Sequence, residues 1–149
     1  MRVVQLKKVL LSASVIALLQ MLLLSTASAQ EVGISGKLYV ILYGVSVSIS
    51  PSYQNGPPGA TLNYIVTVNN PGSAPDNYVL TVSDNSGWGP TLDDTRFENV
   101  PPNETRTTML SVTIPGGAEN GARDNITVTA VSQADNAVRD NASCIAQAT

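Results

Sequence analysis

Apolar and polar residues alternate along most of the chain after residue 44. The alternation is clearest over residues 45–50, 61–68, 78–83, 110–114, 126–130 and 142–146, and a weaker pattern with Leu92 and Phe97 covers residues 91–100. A period of two places every second side chain on one face of an extended strand. Turn-forming clusters such as Asn70-Pro71-Gly72 and Asn120-Gly121 separate these segments. The pattern therefore predicts about seven short β-strands.

This number of strands, with a turn after each, favours an all-β fold in which two antiparallel sheets pack as a sandwich. A closed β-barrel is the alternative. The predicted core consists of one alternating set from each strong segment: Val47, Ile49, Leu62, Tyr64, Val66, Val68, Leu80, Val82, Leu110, Val112, Ile126, Val128 and Cys144.

Residues 38–43 form a continuous apolar run that does not alternate, Leu38-Tyr39-Val40-Ile41-Leu42-Tyr43. One interpretation is an extra N-terminal strand packed on the sandwich, with Gly44 as a bulge at which the chain changes sheets. The other is an edge strand through which the protein self-associates. We favour the first, because sheet edges are normally protected.

Residues 1–29 have the features of a secretory signal peptide. Arg2, Lys7 and Lys8 precede an apolar stretch, and Ala27-Ser28-Ala29 matches a small-residue cleavage site. We expect an N-terminal signal helix, cleavage after Ala29, and a secreted or cell-surface product. The alternative is an uncleaved anchor, although the stretch is short for the roughly 20 residues that span a bilayer. The expected organisation is a signal peptide (1–29), an apolar segment or extra strand (30–43) and a β-sandwich domain (44–149).

Composition excludes several kinds of function. The 149 residues include no His and one Cys, and the formal net charge is −3. Histidine-dependent triads and zinc sites built from several Cys are therefore excluded. Without residues 1–29 the chain has five basic and 11 acidic residues, a net charge of −6, which argues against nucleic-acid binding. Adjacent acids such as Asp93-Asp94 would point to opposite faces of a strand, so we expect no pair of glycosidase carboxylates. Together with the absence of His, this leads us to expect a protein that is not an enzyme and holds no cofactor.

Three Asn-x-Ser/Thr sequons begin at Asn103, Asn125 and Asn141. They are candidate N-glycosylation sites of an exported protein. Chance is the alternative, because the chain is rich in Asn, Ser and Thr.

Trp88, between two glycines, is the strongest ligand-binding candidate. With Tyr53 or Phe97 its ring could form a stacking platform for a sugar, and the alternative is a lid over the core. Two groups of acidic residues are weaker candidates for Ca²⁺ ligands: Asp84, Asp93, Asp94 and Glu98 in one, and Asp124, Asp135 and Asp140 in the other. No Asp-x-Asp-x-Asp-Gly loop is present, so solvated surface acids are the favoured interpretation and we predict no metal site. Cys144 is expected to point inward, or to form an intermolecular disulfide if its strand is an exposed edge.

Several short motifs occur in a fixed order from residue 48 onward. They are Ser48-Ile49-Ser50-Pro51, Pro58-Gly59, the segment 64–70, Asp76-Asn77-Tyr78-Val79-Leu80, Gly87-Trp88, Ile114-Pro115 and the segment 125–130. In this respect the chain resembles the NEW3 family, also called the NPCBM-associated or α-galactosidase-associated domain. It is also similar to CARDB-type modules of archaeal and bacterial surface proteins. The resemblance implies an immunoglobulin-like exported module of the kind found as repeats or appendages of enzymes and surface proteins. Independently of it, we expect Asp76 and Asn77 to satisfy backbone groups of a loop.

We therefore expect a non-enzymatic secreted or cell-surface module for protein interaction or envelope structure. Its Thr-rich sheet face and its end loops would contact an extracellular protein or glycan, without nucleic acid. Carbohydrate binding through Trp88, or an accessory role beside a separately encoded glycan-active enzyme, are the alternatives.

Overall fold

The computed structural model describes residues 40–149, and every strand lies within the compact unit formed by residues 43–149. The predicted signal helix, the cleavage site after Ala29 and residues 30–39 lie outside the described residues. The strands are β1 (Ser46–Ser50), β2 (Tyr53–Gly56), β3 (Thr61–Asn69), β4 (Asp76–Asp84), β5 (Thr91–Leu92), β6 (Arg96–Val100), β7 (Thr105–Thr113), β8 (Arg123–Ser132) and β9 (Arg139–Ala148).

Two sheets form an immunoglobulin-like sandwich. One has four strands in the order β1-β3-β7-β5, and the other has five in the order β2-β9-β8-β4-β6. All pairings are antiparallel except that of β2 with β9, which is parallel. The fold is therefore the predicted two-sheet sandwich and not a closed barrel.

The predicted core is confirmed with two qualifications. Eleven of the predicted core residues are buried, whereas Ile49 and Val82 are partly buried and pack against the core. The buried set also contains hydrophobic residues outside the predicted core: Tyr78, Phe97, Val100, Ile114, Ala130, Ala146 and Ala148. The predicted core therefore omitted residues toward the ends of β4, β8 and β9, both buried residues of the short strand β6, and Ile114 directly after β7.

The chain changes sheets at a different place from the one predicted. Residues 40–45 belong to no strand, so Gly44 is not a bulge between sheets. The change occurs between β1 and β2, across the cis Ser50–Pro51 peptide bond. Gly44 instead allows a close approach of two segments, because a Cβ there would lie 2.8 Å from Pro71 Cγ.

Buried polar side chains fasten one end of the sandwich. Asn70, directly after β3, donates from Nδ2 to the carbonyls of Ala74 (2.9 Å) and Val100 (2.8 Å), and its Oδ1 accepts from Gly72 N at 2.8 Å. These bonds hold the loop between β3 and β4 against the end of β6.

Asp76 fastens the start of β4 to the loop between β8 and β9. Its Oδ1 accepts from the backbone N–H groups of Asn77 (2.7 Å) and Ala134 (3.2 Å), and its Oδ2 accepts from Ser132 Oγ at 2.5 Å. Asn77 Oδ1 in turn accepts from Asn99 N at 2.6 Å. The expectation that Asp76 and Asn77 satisfy loop backbone groups is confirmed.

Candidate functional site

The structure does not bring the three candidate aromatic residues together. Phe97 is 8% exposed and belongs to the core, so its ring face is not available to a sugar. Tyr53 is exposed on β2, where its hydroxyl donates to Gln147 Oε1 at 3.1 Å. Trp88 lies in the loop after β4, partly buried against the core. Since β9 and β8 lie between β2 and β4, Tyr53 and Trp88 are not neighbours in the sheet.

The two acidic groups considered as calcium ligands do not assemble. Within residues 40–149 no group of three or more His, Cys, Asp or Glu side chains could hold a metal ion. Glu98 pairs with Arg96 at 2.9 Å on the surface, and Asp140 Oδ2 accepts from Val47 N at 2.8 Å. Asp135 Oδ1 accepts from Ala137 N within its own loop.

Cys144 is buried and lies on a central strand. Because β9 is flanked by β2 and β8, its strand is not an exposed edge, and the suggested intermolecular disulfide does not fit this position. Burial raises the pKa of the Cys144 thiol to about 11. A protonated, buried thiol is a poor nucleophile, so its role is to fill space in the core.

A small pocket of about 270 Å³ opens at the fastened end of the sandwich. It is lined by Pro75, Asp76, Asn77, Asn99, Gln133 and Ala134, which come from the start of β4, the end of β6 and the loop after β8. Asn99 is held in a left-handed conformation, with φ of 49°. Since both oxygens of Asp76 already accept hydrogen bonds, the amides of Asn77, Asn99 and Gln133 supply the chemistry left for a ligand. Such groups suit neutral hydroxyl or amide partners.

The outer face of the four-stranded sheet has an unusual composition. Its outward positions are Ser46, Ser48 and Ser50 on β1, Thr61, Asn63, Ile65, Thr67 and Asn69 on β3, Thr105, Thr107, Met109, Ser111 and Thr113 on β7, and Thr91 on β5. None of these residues is charged, although the domain as a whole is acidic. We call this surface the hydroxyl face.

Cross-strand pairs order the side chains of the hydroxyl face. Thr61 Oγ1 and Thr113 Oγ1 lie 2.9 Å apart, and Ser111 Oγ donates to Asn63 Oδ1 at 2.9 Å. The next pair in register is Ile65 with Met109, which are 46% and 38% exposed. The face therefore combines an apolar centre with polar pairs whose rotamers are already restricted, which lowers the entropy lost when a partner binds.

The outer face of the five-stranded sheet differs in charge. It carries Arg96, Glu98, Arg123 and Arg139. Two of the three sequon asparagines, Asn125 on β8 and Asn141 on β9, are exposed on this face, whereas Asn103 is exposed in the loop between β6 and β7. The hydroxyl face contains no sequon asparagine; Asn103 lies in the loop two residues before Thr105, where β7 begins.

Residues 40–149 include no helix with the length and apolar character needed to cross a membrane.

Sequence reasoning named Asp76 and Asp124 but missed that both point into the sandwich, although the alternation itself marks this. Asp124 has the same parity on β8 as Ile126 and Val128, and Asp76 has the same parity on β4 as Tyr78 and Leu80. Charged residues are almost never fully buried without a partner, so an acid at an inward position is a signal worth examining. The pocket had no such signal, because its residues come from three separate parts of the chain.

Residues 43–149 thus form an immunoglobulin-like β-sandwich module. Residues 57–133 match the NPCBM-associated, NEW3 domain of alpha-galactosidase, and the chain belongs to this family. No curated protein matches the chain.

Two solved structures share the fold at low sequence identity. A FixG-related protein from Vibrio parahaemolyticus is 14% identical with a TM-score of 0.52, and the match covers 72% of this chain and 96% of that one. A family 123 glycoside hydrolase from Clostridium perfringens is 13% identical with a TM-score of 0.52. That match covers 70% of this chain but only 27% of the hydrolase. At these identities the likeness concerns the fold alone.

Proposed function

We propose that this chain is a non-enzymatic module of the cell surface or extracellular space, and that its hydroxyl face binds a protein partner. The observation that carries the proposal is the lack of charge across that face in an acidic domain. Interface cores are depleted of charged residues, and an exposed Ile or Met at the centre of a polar patch gains from being covered.

The physical logic is one of desolvation. Charged side chains are costly to bury at an interface unless each meets a partner, whereas Ser, Thr and Asn can exchange water for hydrogen bonds to a partner at small net cost. Ile65 and Met109 add apolar area, and the flexible Met side chain can adapt to the shape it meets. The opposite face, with its four charges and two sequons, is less suited to such a contact.

Matched substitutions on the two faces test this function. Thr107 and Thr81 are both exposed strand residues, on β7 and β4 respectively. We expect Thr107→Glu to weaken capture of a partner from the envelope fraction of the source cells by about tenfold or more, since it places a charge on the hydroxyl face. Thr81→Glu adds the same charge to the other face and should leave capture unchanged. Equal retention of the partner by both variants would argue against the hydroxyl face as the binding surface.

A second candidate function is glycan contact as the accessory domain of an enzyme. The family description names alpha-galactosidase, and the amide-lined pocket offers hydrogen-bonding groups of the kind that recognise hydroxyls. The pocket and Trp88 lie at opposite ends of β4, so two variants distinguish the two possible sites. On a glycan array, loss of a signal in Gln133→Ala identifies the pocket, and loss in Trp88→Ala identifies the loop. No binding by the unmodified protein would remove this candidate.

A further inference from the structure

Asp124 is a fully buried acid with one satisfied and one unsatisfied oxygen. Its Oδ1 accepts from the backbone N–H groups of Asn85 (3.2 Å) and Ser86 (3.0 Å). Its Oδ2 has less than 1 Å² of accessible surface and no hydrogen-bond partner, the single such side-chain atom in residues 40–149. Leaving a buried acceptor unpaired costs about 1–3 kcal/mol, and more when it is charged.

Asp84, the last residue of β4, lies beside it. Asp84 pairs in register with Ile126, which has the same parity on β8 as Asp124, so the two acids lie on the same face of neighbouring strands. The Asp84 Oδ2 accepts from Gly89 N at 3.3 Å. Both acids therefore accept hydrogen bonds from backbone N–H groups of the loop of residues 85–90, which carries Trp88. We call this segment the Trp88 loop.

The other titratable groups that face Asp124 are neutral. They are the Tyr64 hydroxyl from β3 and the Cys144 thiol from β9, and burial raises the pKa of both. Arg123 directs its Nε to Gln147 Oε1 on the outer face, at 2.9 Å. Among the described residues no cationic side chain forms an ion pair with either acid. Two ionised carboxylates in contact, one of them fully buried, would repel each other strongly.

Only a proton or a metal cation could relieve this repulsion, and the geometry favours the proton. Calcium takes six to eight oxygen ligands, whereas the described part of the chain offers no group of three or more acidic or other metal-binding side chains. Asp124 Oδ2 also borders no solvent-sized space that a hydrated ion could enter. A proton needs only two carboxyl groups, and those of Asp84 and Asp124 lie on the same face of neighbouring strands.

We propose that Asp84 and Asp124 share one proton in the folded protein, and that this acid–carboxylate hydrogen bond latches the Trp88 loop to the end of the sandwich. The proton resides on Asp124 Oδ2, which donates to the Asp84 carboxylate. When the proton leaves to solvent at rising pH, the hydrogen bond between the two side chains is lost, the two carboxylates repel each other, and the loop loosens.

The sign of the pH dependence follows from burial. Desolvation, the largest effect, raises the pKa of Asp124 above its ordinary value of 3.8; the N–H groups of Ser86 and Asn85 oppose this shift and the Asp84 charge adds to it, so the net change is upward. Between the ordinary value and the raised one, the folded state holds a proton that the unfolded state has lost. The stability contributed by the pair is therefore fully present below the ordinary Asp pKa and is lost as pH rises toward the raised pKa. Between these two pKa values, the equilibrium constant for unfolding of the domain should increase about tenfold per pH unit because of this one proton.

Trp88 is the chain's only Trp, so its fluorescence reports the loop directly. As pH rises above the ordinary Asp pKa, we expect the emission of the purified protein to shift to longer wavelength and acrylamide quenching to increase, in step with the loss of stability. Asp124→Asn keeps an acceptor for the two backbone N–H groups and supplies an N–H to Asp84. In that variant both pH dependences should disappear and the loop should stay closed.

Asp93→Asn is the matched control, because Asp93 is exposed and the same charge is removed. It should retain the wild-type pH dependence. If Asp124→Asn does not fold, the unmodified protein can be tested instead. A pH titration followed by ¹³C NMR of the carboxyl carbons then shows whether one Asp keeps its proton. One Asp should then ionise above the rest.

Three results would overturn the proposal: stability that does not fall with pH in this window, identical pH profiles for the two variants, or all carboxyls titrating at ordinary values. Stabilisation by CaCl₂ that EDTA reverses, together with stability that rises with pH, would instead assign the site to a cation.

Discussion

At the residue scale, three buried polar side chains determine how the strand ends are closed. At one end of the sandwich, every polar side-chain atom of Asn70 and Asp76 forms a hydrogen bond. At the other end, one carboxyl oxygen of Asp124 has no hydrogen-bond partner. Buried polar groups in folded proteins are nearly always hydrogen-bonded. Asn70 and Asp76 therefore tie their loops to neighbouring strands, whereas the unpaired oxygen of Asp124 marks the end at which we propose that a shared proton closes the structure.

Asn70→Ala should be among the most destabilising polar substitutions in this domain. It leaves the Ala74 and Val100 carbonyls and the Gly72 N–H without their partner in a fully buried site. We expect a loss of about 2–4 kcal/mol in the free energy of unfolding, measured by chemical denaturation. Asn63→Ala removes one exposed hydrogen bond to Ser111 and should cost less than about 1 kcal/mol. Equal losses in the two variants would contradict this account of Asn70.

At the scale of the element, the edge strand β1 is protected by the other sheet. The backbone N–H of Val47 donates to Asp140 Oδ2, although Asp140 belongs to β9. This bond links the two sheets and occupies a donor that would otherwise be available to an incoming strand. Natural proteins commonly blunt their edges in such ways.

Removing the carboxylate from β9 should both destabilise the domain and expose β1. We expect Asp140→Ala to lower the free energy of unfolding by about 1.5–3 kcal/mol and to increase self-association in size-exclusion chromatography. Asp140→Asn retains an acceptor and should lose less than half as much. A fully monomeric Asp140→Ala protein with unchanged stability would show that the bond to Val47 protects nothing.

The strands were predictable from sequence where apolar side chains alternate over a long run, as in β3, β7 and β8. The short strand β2 was missed because Tyr53, Gln54, Asn55 and Gly56 contain no apolar alternation, and the strand is held by parallel pairing to β9. Phe97 was assigned to a candidate ligand site and Val100 was left out of the predicted core, because these two buried residues are three positions apart and do not alternate. The pairing of β4 with β6 shifts register between Asp76 and Tyr78, so a strict period of two fails there.

The surfaces were predictable only in part. The Thr-rich outward positions follow from alternation once the strands are assigned, but their grouping into one uncharged face depends on which strands share a sheet. Periodicity does not contain that information, because β1, β3, β7 and β5 are not consecutive in the chain. The proximity of Asp84 and Asp124 depends in the same way on the pairing of β4 with β8.

At the scale of the whole molecule, the two outer faces have different compositions. Two of the three sequon asparagines and four charged residues lie on the outer face of the five-stranded sheet, whereas the hydroxyl face has no charged residue and no sequon asparagine. If the sequons are modified, glycans at Asn125 and Asn141 would cover one side of the sandwich and leave the other open. This distribution agrees with the proposal that a partner binds the hydroxyl face.

A glycan moved to the hydroxyl face should therefore block the partner. The substitution Ile65→Thr completes an Asn-x-Thr sequon at Asn63, an exposed residue in the middle of β3. In a host that glycosylates asparagine, we expect this variant to lose partner binding and to gain a mobility shift that a deglycosylating enzyme removes. Adding Asn63→Gln to the same variant removes the sequon but keeps the Thr, and should restore most of the binding. Binding that survives a glycan at Asn63, or that disappears when Asn125 and Asn141 alone are glycosylated, would place the partner on the other face of the sandwich.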